Sequence, residues 1–462
     1  MDFWVLFVVM YSFIFSGVIG YPLNDQIGTL PGQPIVNFRQ FSGYIDVDPE
    51  AGRSLFYYFV EAENDPKNQP LTIWLTGGPG CSSVGDSFVG VGPFITTNDA
   101  RGLERNPHAW NNVSNILFID SPVGAGWSYS NTSDDYIVGD HSTNNDLVTF
   151  ILKWFEKYPI FKSRDLYVCG ASYAGHFVPN FVNSLLQYNK QSMNFKFNIK
   201  GLALGNPVLR YKLDLLAEQE LYASEGMISR VLHQQILKRC NGVNEDNYSN
   251  NVGPWSESCQ QAMGISQMIA FNVTSVDQSR QRQFDISRTP CDGTMEDLKS
   301  GKEITKVIDG CDLCLTVRPN FYFNIPEVQK VFHANRTNLK FEWSGCIPMS
   351  GLKYNPTDIY NDMLPTLKQI LQQSVPITIF SGDVDGAIPL IGNSEHVKKL
   401  AKDMNMNLTK NETWNHENKQ EGGLLYLYGD LLTFMTVKGA NHHVPLSRPS
   451  QALYIFSNFV IN

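Results

Sequence analysis

Residues 169–175 read CGASYAG, and the serine in that stretch, Ser172, follows the β-rich run DLYV. A serine at a strand-to-helix junction has two uses. Its hydroxyl can cap the helix by accepting from an orphan backbone N–H, or it can act as a nucleophile if a base and an orienting acid reach it. The chain supplies both partners downstream. ITIF leads into SGDVDGAIP, with Asp383 and Asp385, and LLTFMTV leads into KGANHHVP, with His442 and His443. Serine, acid and histidine in this order, each just past a strand-like run, suit a hydroxyl activated by an imidazole that a carboxylate orients. Spacing alone leaves Asp383 or Asp385 as the acid and His442 or His443 as the base. The turn departs from G-x-S-x-G, since Ala174 holds the fifth position and Gly175 the next, but small side chains still let strand and helix approach closely.

These groups need a scaffold that ends several strands at one edge. The runs LTIWL (71–75), NILFID (115–120), DLYVCG (165–170), IKGLALGNP (199–207), ITIFSGD (377–383) and LLTFMTV (431–437) are rich in β-branched and aromatic residues and read as buried strands of a mostly parallel sheet. Helical patterns such as NNDLVTFILKWFEKYP (144–159) and EVQKVFHAN (327–335) lie between them. The alternation predicts an α/β fold, and the order of the reactive residues is that of an α/β-hydrolase. From 210 to 325 the buried-strand runs stop, and five of the eight cysteines gather among polar stretches. That segment reads as a cap inserted into a core formed by 21–209 and 326–462.

Composition narrows the function. The 462 residues carry 36 Lys+Arg against 45 Asp+Glu, a formal charge of -9 with no basic run, which argues against nucleic acid as a partner. Residues 3–19 are apolar and uncharged, so 1–20 is expected to be a signal peptide, with Asp2 in place of the usual basic start. No later segment is long and apolar enough to span a bilayer, so no membrane partner is expected after cleavage. Asn112, Asn131, Asn247, Asn272, Asn335, Asn407 and Asn411 each open an N-x-S/T sequon, and eight cysteines suit an oxidising compartment. The expected destination is secreted or vacuolar. CDLC at 311–314 has no second pair of ligands nearby, so neither a metal nor another cofactor is expected. A homodimer is left open.

At this point the sequence resembles the serine carboxypeptidase family, and in particular its plant carboxypeptidase-like members. The matching stretches are WLTGGPGCSS (74–83), DSPVGAGWSYS (120–130), GASYAGHFVP (170–179), KGLALGNP (200–207), FYFNIPEVQKVFHAN (321–335), FSGDVDGAIP (380–389) and GANHHVP (439–445). The resemblance implies Ser172 as nucleophile, His442 as base, Asp385 as orienting acid, and the N–H groups of Gly78 and Tyr173 as an oxyanion hole. It further implies disulfides Cys81–Cys346, Cys240–Cys259 and Cys291–Cys314, leaving Cys169 as a small core residue and Cys311 unpaired.

The resemblance also implies a side-chain clamp for the free carboxylate of a peptide, built from one asparagine and two glutamates. Here those positions are Thr76, Gly90 and Ala171, and only Thr76 and the N–H of Gly77 could replace part of it. The expected substrate is thus a peptide or a small ester. The family default is release of C-terminal residues from peptides. The alternative is an acyltransferase that moves an acyl group from a glucose ester to an alcohol or amine. A third reading, a catalytically silent binding protein, fits poorly with an intact serine, acid and histidine set. Thr76→Asn, Gly90→Glu and Ala171→Glu together are expected to rebuild the clamp.

Overall fold

The computed structural model describes residues 21–250, 253–335, 342–347, 352–416 and 420–461, so the signal segment 1–20 lies outside the described residues. One large sheet organises the chain. Its strands are β1 (Gln26–Ile27), β2 (Gln40–Asp48), β3 (Arg53–Val60), β4 (Leu71–Leu75), β5 (Asn115–Ile119), β6 (Asp165–Ala171), β7 (Asn198–Gly205), β8 (Ile377–Gly382), β9 (Leu408–His416), β10 (Gln420–Tyr428) and β11 (Leu432–Val437). They lie in the order β1-β2-β3-β5-β4-β6-β7-β8-β11-β10-β9, and Tyr129–Ser130 adds a short strand beside β3. From β5 to β11 every pair is parallel, and antiparallel strands flank this block on both sides.

Burial explains the parallel block. In β4 the side chains of Leu71, Ile73 and Leu75 enter one hydrophobic cluster while Trp74 enters the other, and β5 divides Leu117 and Ile119 from Ile116 and Phe118 in the same way. Strands covered on both faces lack polar alternation, which is why they read as continuous apolar runs. One face is covered by α1 (Asp140–Lys157) and α2 (Ala174–Gln191), which bring Phe150, Trp154, Phe177 and Phe181. On the other face Trp74, Trp110, Trp127, Phe323 and Phe332 pack together.

The pattern over 327–335 predicts a longer helix than the one found, Pro326–Val331. The chain closes it at once: His333 takes φ 55°, and Ala334 N–H donates to the carbonyl of Gln329 at 2.9 Å, a left-handed C-terminal cap.

Residues 210–325 are mainly helical, with α3 (Tyr211–Ser224), α4 (Arg230–Arg239), α5 (Glu257–Phe271) and α6 (Val276–Arg282). Tyr222, Ile236, Met263 and Phe271 form a separate small cluster here, stapled by Cys240–Cys259. Cys291–Cys314 closes the later part of the segment, and Cys81–Cys346 joins points 265 residues apart. Cys169 and Cys311 are buried and unpaired. None of the seven sequon asparagines is buried, and Asn131, Asn272, Asn407 and Asn411 are exposed. Among the described residues no helix is long and apolar enough to cross a membrane, and no His, Cys, Asp or Glu cluster could hold a metal ion.

A buried ionic knot anchors this segment to the sheet. Arg210 grips Asp362 with two hydrogen bonds of 2.8 Å and reaches Glu245 at 2.7 Å. His396, on α7 (Leu390–Asp403), bridges Glu245 at 3.1 Å and Asp214 at 2.8 Å. Burial alone would lower the His396 pKa, but the two carboxylates raise it to about 9.

Stability should therefore depend on pH. Burial lifts Asp120 to about 7, Glu218 to about 7 and Asp146 to about 6. All four groups, His396 included, hold a proton more firmly folded than unfolded. Their contribution is complete at low pH and is lost as pH rises, through about 4 to 7 for the carboxyls and 6.5 to 9 for the histidine. Asp140, Glu245 and Asp362 are shifted down, despite burial, by hydrogen-bonded partners, so they oppose this only in stronger acid. The melting temperature should be higher near pH 5.5 than near pH 8.5, by roughly 2–8 °C. Scanning calorimetry that finds it constant or rising with pH would contradict this assignment.

Candidate active site

Strand β6 ends at Ala171 and α2 begins at Ala174, so Ser172 sits on a turn of two residues. Its φ is 61°, a left-handed conformation that a serine adopts only when its surroundings impose it. The main chain imposes it here. Ser172 N–H donates to the carbonyl of Gly205 at 3.0 Å, and its own carbonyl accepts from Gly175 at 2.9 Å and Val208 at 3.0 Å. The serine does not cap α2: the capping position belongs to Tyr173, which makes no side-chain cap bond.

The segment after β4 presses against this turn. A Cβ on Gly77 would stand 2.3 Å from the Tyr173 nitrogen and 3.0 Å from the Ser172 Cβ, so only glycine fits. Gly78 follows, with φ 112°. Among the described residues, neither its N–H nor that of Tyr173 donates in the loop and cap hydrogen bonds. Two unspent N–H groups flanking a serine can receive a developing oxyanion.

The acid and base loops meet each other. His442 Nδ1 lies 2.8 Å from Asp385 Oδ2, and both residues are buried. Asp385 Oδ1 accepts from the N–H groups of Ala387 at 2.8 Å and Ile388 at 3.2 Å, which fixes the carboxylate plane. With Nδ1–H donated to a carboxylate, the neutral imidazole keeps its lone pair on Nε2, as a base requires. The two alternatives are held differently. Asp383 is exposed and accepts from Gly439 N–H at 2.6 Å, and the His443 pKa is lowered by burial and by neighbouring His442.

Two features joining these loops escape a sequence reading. Asn206, fully buried at the end of β7, donates to the carbonyls of Asn441 at 3.1 Å and His442 at 3.0 Å while its Oδ1 accepts from Gly382 N–H at 2.8 Å. The adjoining Gly205 holds Ser172. The second feature is a strap, 283–288, from the inserted segment. The Gln283 carbonyl accepts from Gly386 N–H at 2.9 Å, the Phe284 carbonyl from His442 N–H at 2.9 Å, and Ile286 N–H donates to Val384 at 3.0 Å. The Phe284 ring stacks on the His442 imidazole with centroids 4.9 Å apart, and Asp285 accepts from Asn441 Nδ2 at 3.0 Å. The motif GNP could have flagged Asn206. Nothing in DQSRQRQFD signals the strap, because its contacts are mostly main chain.

The clamp positions behave differently from one another. β4 and β6 pair with Leu75 opposite Gly170, so Thr76 flanks Ala171, whose methyl group offers no hydrogen bond. Gly90, at φ 148°, is packed so that a Cβ would lie 2.5 Å from the Pro445 carbonyl oxygen. A side chain introduced at Gly90, as in Gly90→Glu, would require this backbone to shift. The polar side chain beside Thr76 is instead Asp86, whose Oδ2 accepts from Thr76 Oγ1 at 2.9 Å. It ends the short helix Ser83–Asp86, and no motif pointed to it.

The geometry separates the two acids experimentally. Asp385→Asn should slow covalent labelling of Ser172 by a fluorophosphonate about 10³–10⁴-fold, because the wrong imidazole tautomer is then favoured. Asp383→Asn should change it by less than about threefold. Equal effects in labelling kinetics would contradict the arrangement.

The profile of the serine carboxypeptidase family matches residues 31–462. Serine carboxypeptidase-like 44 of Arabidopsis thaliana is 46% identical over 463 residues, covering 99% of this chain and 94% of that protein. Serine carboxypeptidase-like 42 of the same plant is 46% identical over 449 residues, covering 96% and 92%. The crystal structure of a prohormone-processing carboxypeptidase of Saccharomyces cerevisiae superposes with a TM-score of 0.73 at 20% identity, covering 95% of this chain and 96% of that one, which establishes the shared α/β-hydrolase fold. The chain is a member of the serine carboxypeptidase family.

Proposed function

We propose that the protein forms an acyl-enzyme on Ser172, with His442 as general base and acid, Asp385 as its orienting partner, and the N–H groups of Gly78 and Tyr173 as oxyanion donors. The observation that carries this is the 2.8 Å bond between His442 and Asp385, held one hydrogen-bonded residue away from a strained serine. Ser172 Oγ bonds to the substrate carbonyl carbon as its proton passes to His442 Nε2. The oxyanion collapses, the bond to the leaving amine or alcohol breaks, and that group takes the proton from His442. Water, or an acceptor alcohol or amine, then attacks the acyl group, gives its proton to His442, and Ser172 departs with it.

The family default for the substrate is the C-terminal end of a peptide. The second reading is acyl transfer from a glucose ester, and a specific observation favours it: Thr76, Ala171 and the tightly packed Gly90 leave no evident side-chain donor for a free carboxylate. Losing two or three such bonds, at about 1.5–3 kcal/mol each, would cost a peptidase several orders of magnitude. Unburied sequons and three disulfides support a secreted or vacuolar location.

Purified protein should label with a fluorophosphonate, and Ser172→Ala should abolish labelling. Incubation with N-blocked dipeptides and with phenolic glucose esters, release and transfer both being measured, should show turnover of the esters at least about tenfold more efficient. Efficient release of C-terminal residues would restore the default. No labelling under conditions where a related hydrolase reacts would overturn the acyl-enzyme itself.

A further inference from the structure

Asp86 ends a short directed chain of hydrogen bonds at the site. Trp74 Nε1 donates to Asp86 Oδ2 at 2.9 Å and to Thr76 Oγ1 at 3.0 Å, and Thr76 Oγ1 donates to the same Oδ2 at 2.9 Å. Both protons of this trio are therefore spent inward on one carboxylate oxygen. Asp86 is partly exposed, and among the described residues its other oxygen, Oδ1, has no hydrogen-bond or ion-pair partner.

The location matters as much as the bonding. Thr76 flanks Ala171, and the next residue, Gly77, lies where a Cβ would be 3.0 Å from that of Ser172. Asp86 is thus one hydrogen bond from the neighbour of the nucleophile's own contact. Its charge also reaches the base loop, where it raises the proton affinity of His443 against the lowering caused by burial and His442.

A group arriving here meets lone pairs and a negative charge. It finds no free side-chain donor on Thr76 or Trp74, and none on Ala171. The geometry points to Asp86 as the residue that sets the charge of the group received beside Thr76: a cation, an ammonium or guanidinium, is accepted and a free carboxylate is rejected. The inference rests on the acyl-enzyme reading of Ser172 and adds a substrate class to it. Specificity of this kind comes from repulsion of the wrong partner as much as attraction of the right one.

Protection of Ser172 tests it without a known substrate. A neutral fluorophosphonate is reacted with the protein near neutral pH in the presence of benzylammonium, benzamide or benzoate, which match in size and differ in charge. Benzylammonium should protect at a concentration at least about tenfold lower than benzoate, with benzamide between them. In Asp86→Asn, which keeps the acceptor for Trp74 and Thr76, the ratio should fall to within about twofold, whereas Asp86→Glu should keep the cation preference. Because each ratio is internal to one protein, a loss of folded material cancels. Equal protection by cation and anion, no protection by any of the three, or the same ratio in wild type and Asp86→Asn overturns the role of Asp86 and leaves the acyl-enzyme standing. Absence of labelling in the unprotected wild type overturns the acyl-enzyme reading instead.

Discussion

The side-chain amide of Asn206 is where three separately folded loops become one site. Its oxygen accepts a hydrogen bond from Gly382 N–H at the end of the strand that leads to Asp385, its nitrogen donates to two carbonyls of the loop that carries His442, and the carbonyl of the residue before it accepts from Ser172 N–H. No other residue type offers a planar acceptor and two donors at this size; aspartate, which matches its shape, has one O–H when protonated and no donor when ionised. Asn206 is fully buried, so each bond it failed to make would leave a desolvated polar group costing about 1–3 kcal/mol. The alignment of the loops that carry Ser172, Asp385 and His442 is in this sense a consequence of satisfying one amide.

The inserted segment takes part in the same alignment. The strap at 283–288 contributes main-chain partners to both loops and one aromatic face to the imidazole. It is tied to the body by Arg288, which reaches Asp285 and the carbonyl of Gly439, and at its start the segment is held by the knot of Arg210, Glu245, His396 and Asp214. The strap and the His442 loop are therefore mechanically one. A change that loosens the strap should be felt at His442 before it is felt in the sheet.

The parts of this arrangement that were legible in the sequence share a physical property: burial from both sides. β4 to β8 and β11 are seen as apolar runs because each face meets a hydrophobic cluster, and the reactive residues are found because they directly follow those runs. The flanking strands were not found. β9 is exposed at nearly every position and carries Asn411 as its fourth residue, so it has neither the apolar content nor the alternation that would betray it. β2 carries a glycine and polar residues that the partner strand and helices bury. The choice between Asp383 and Asp385 needed family resemblance, because two residues of separation on a turn do not decide which carboxylate points inward. Phe284 and Asp86 were invisible for a different reason: their roles follow from where a loop and a one-turn helix happen to lie, and no periodicity records that. Gly90 shows what a family motif leaves out, since the resemblance matches it to a clamp position without recording how closely its backbone packs on Pro445.

The central claim is that Ser172, His442 and the N–H groups of Gly78 and Tyr173 converge on one reacting carbon. A crystal structure of the protein inactivated by an organophosphonate would show this directly. The account predicts phosphorus bonded to Ser172 Oγ, with its unesterified oxygen about 2.7–3.1 Å from both N–H groups and His442 Nε2 within reach of Oγ. An adduct on another residue, or one whose oxygen points away from Gly78 and Tyr173 into solvent, would contradict it.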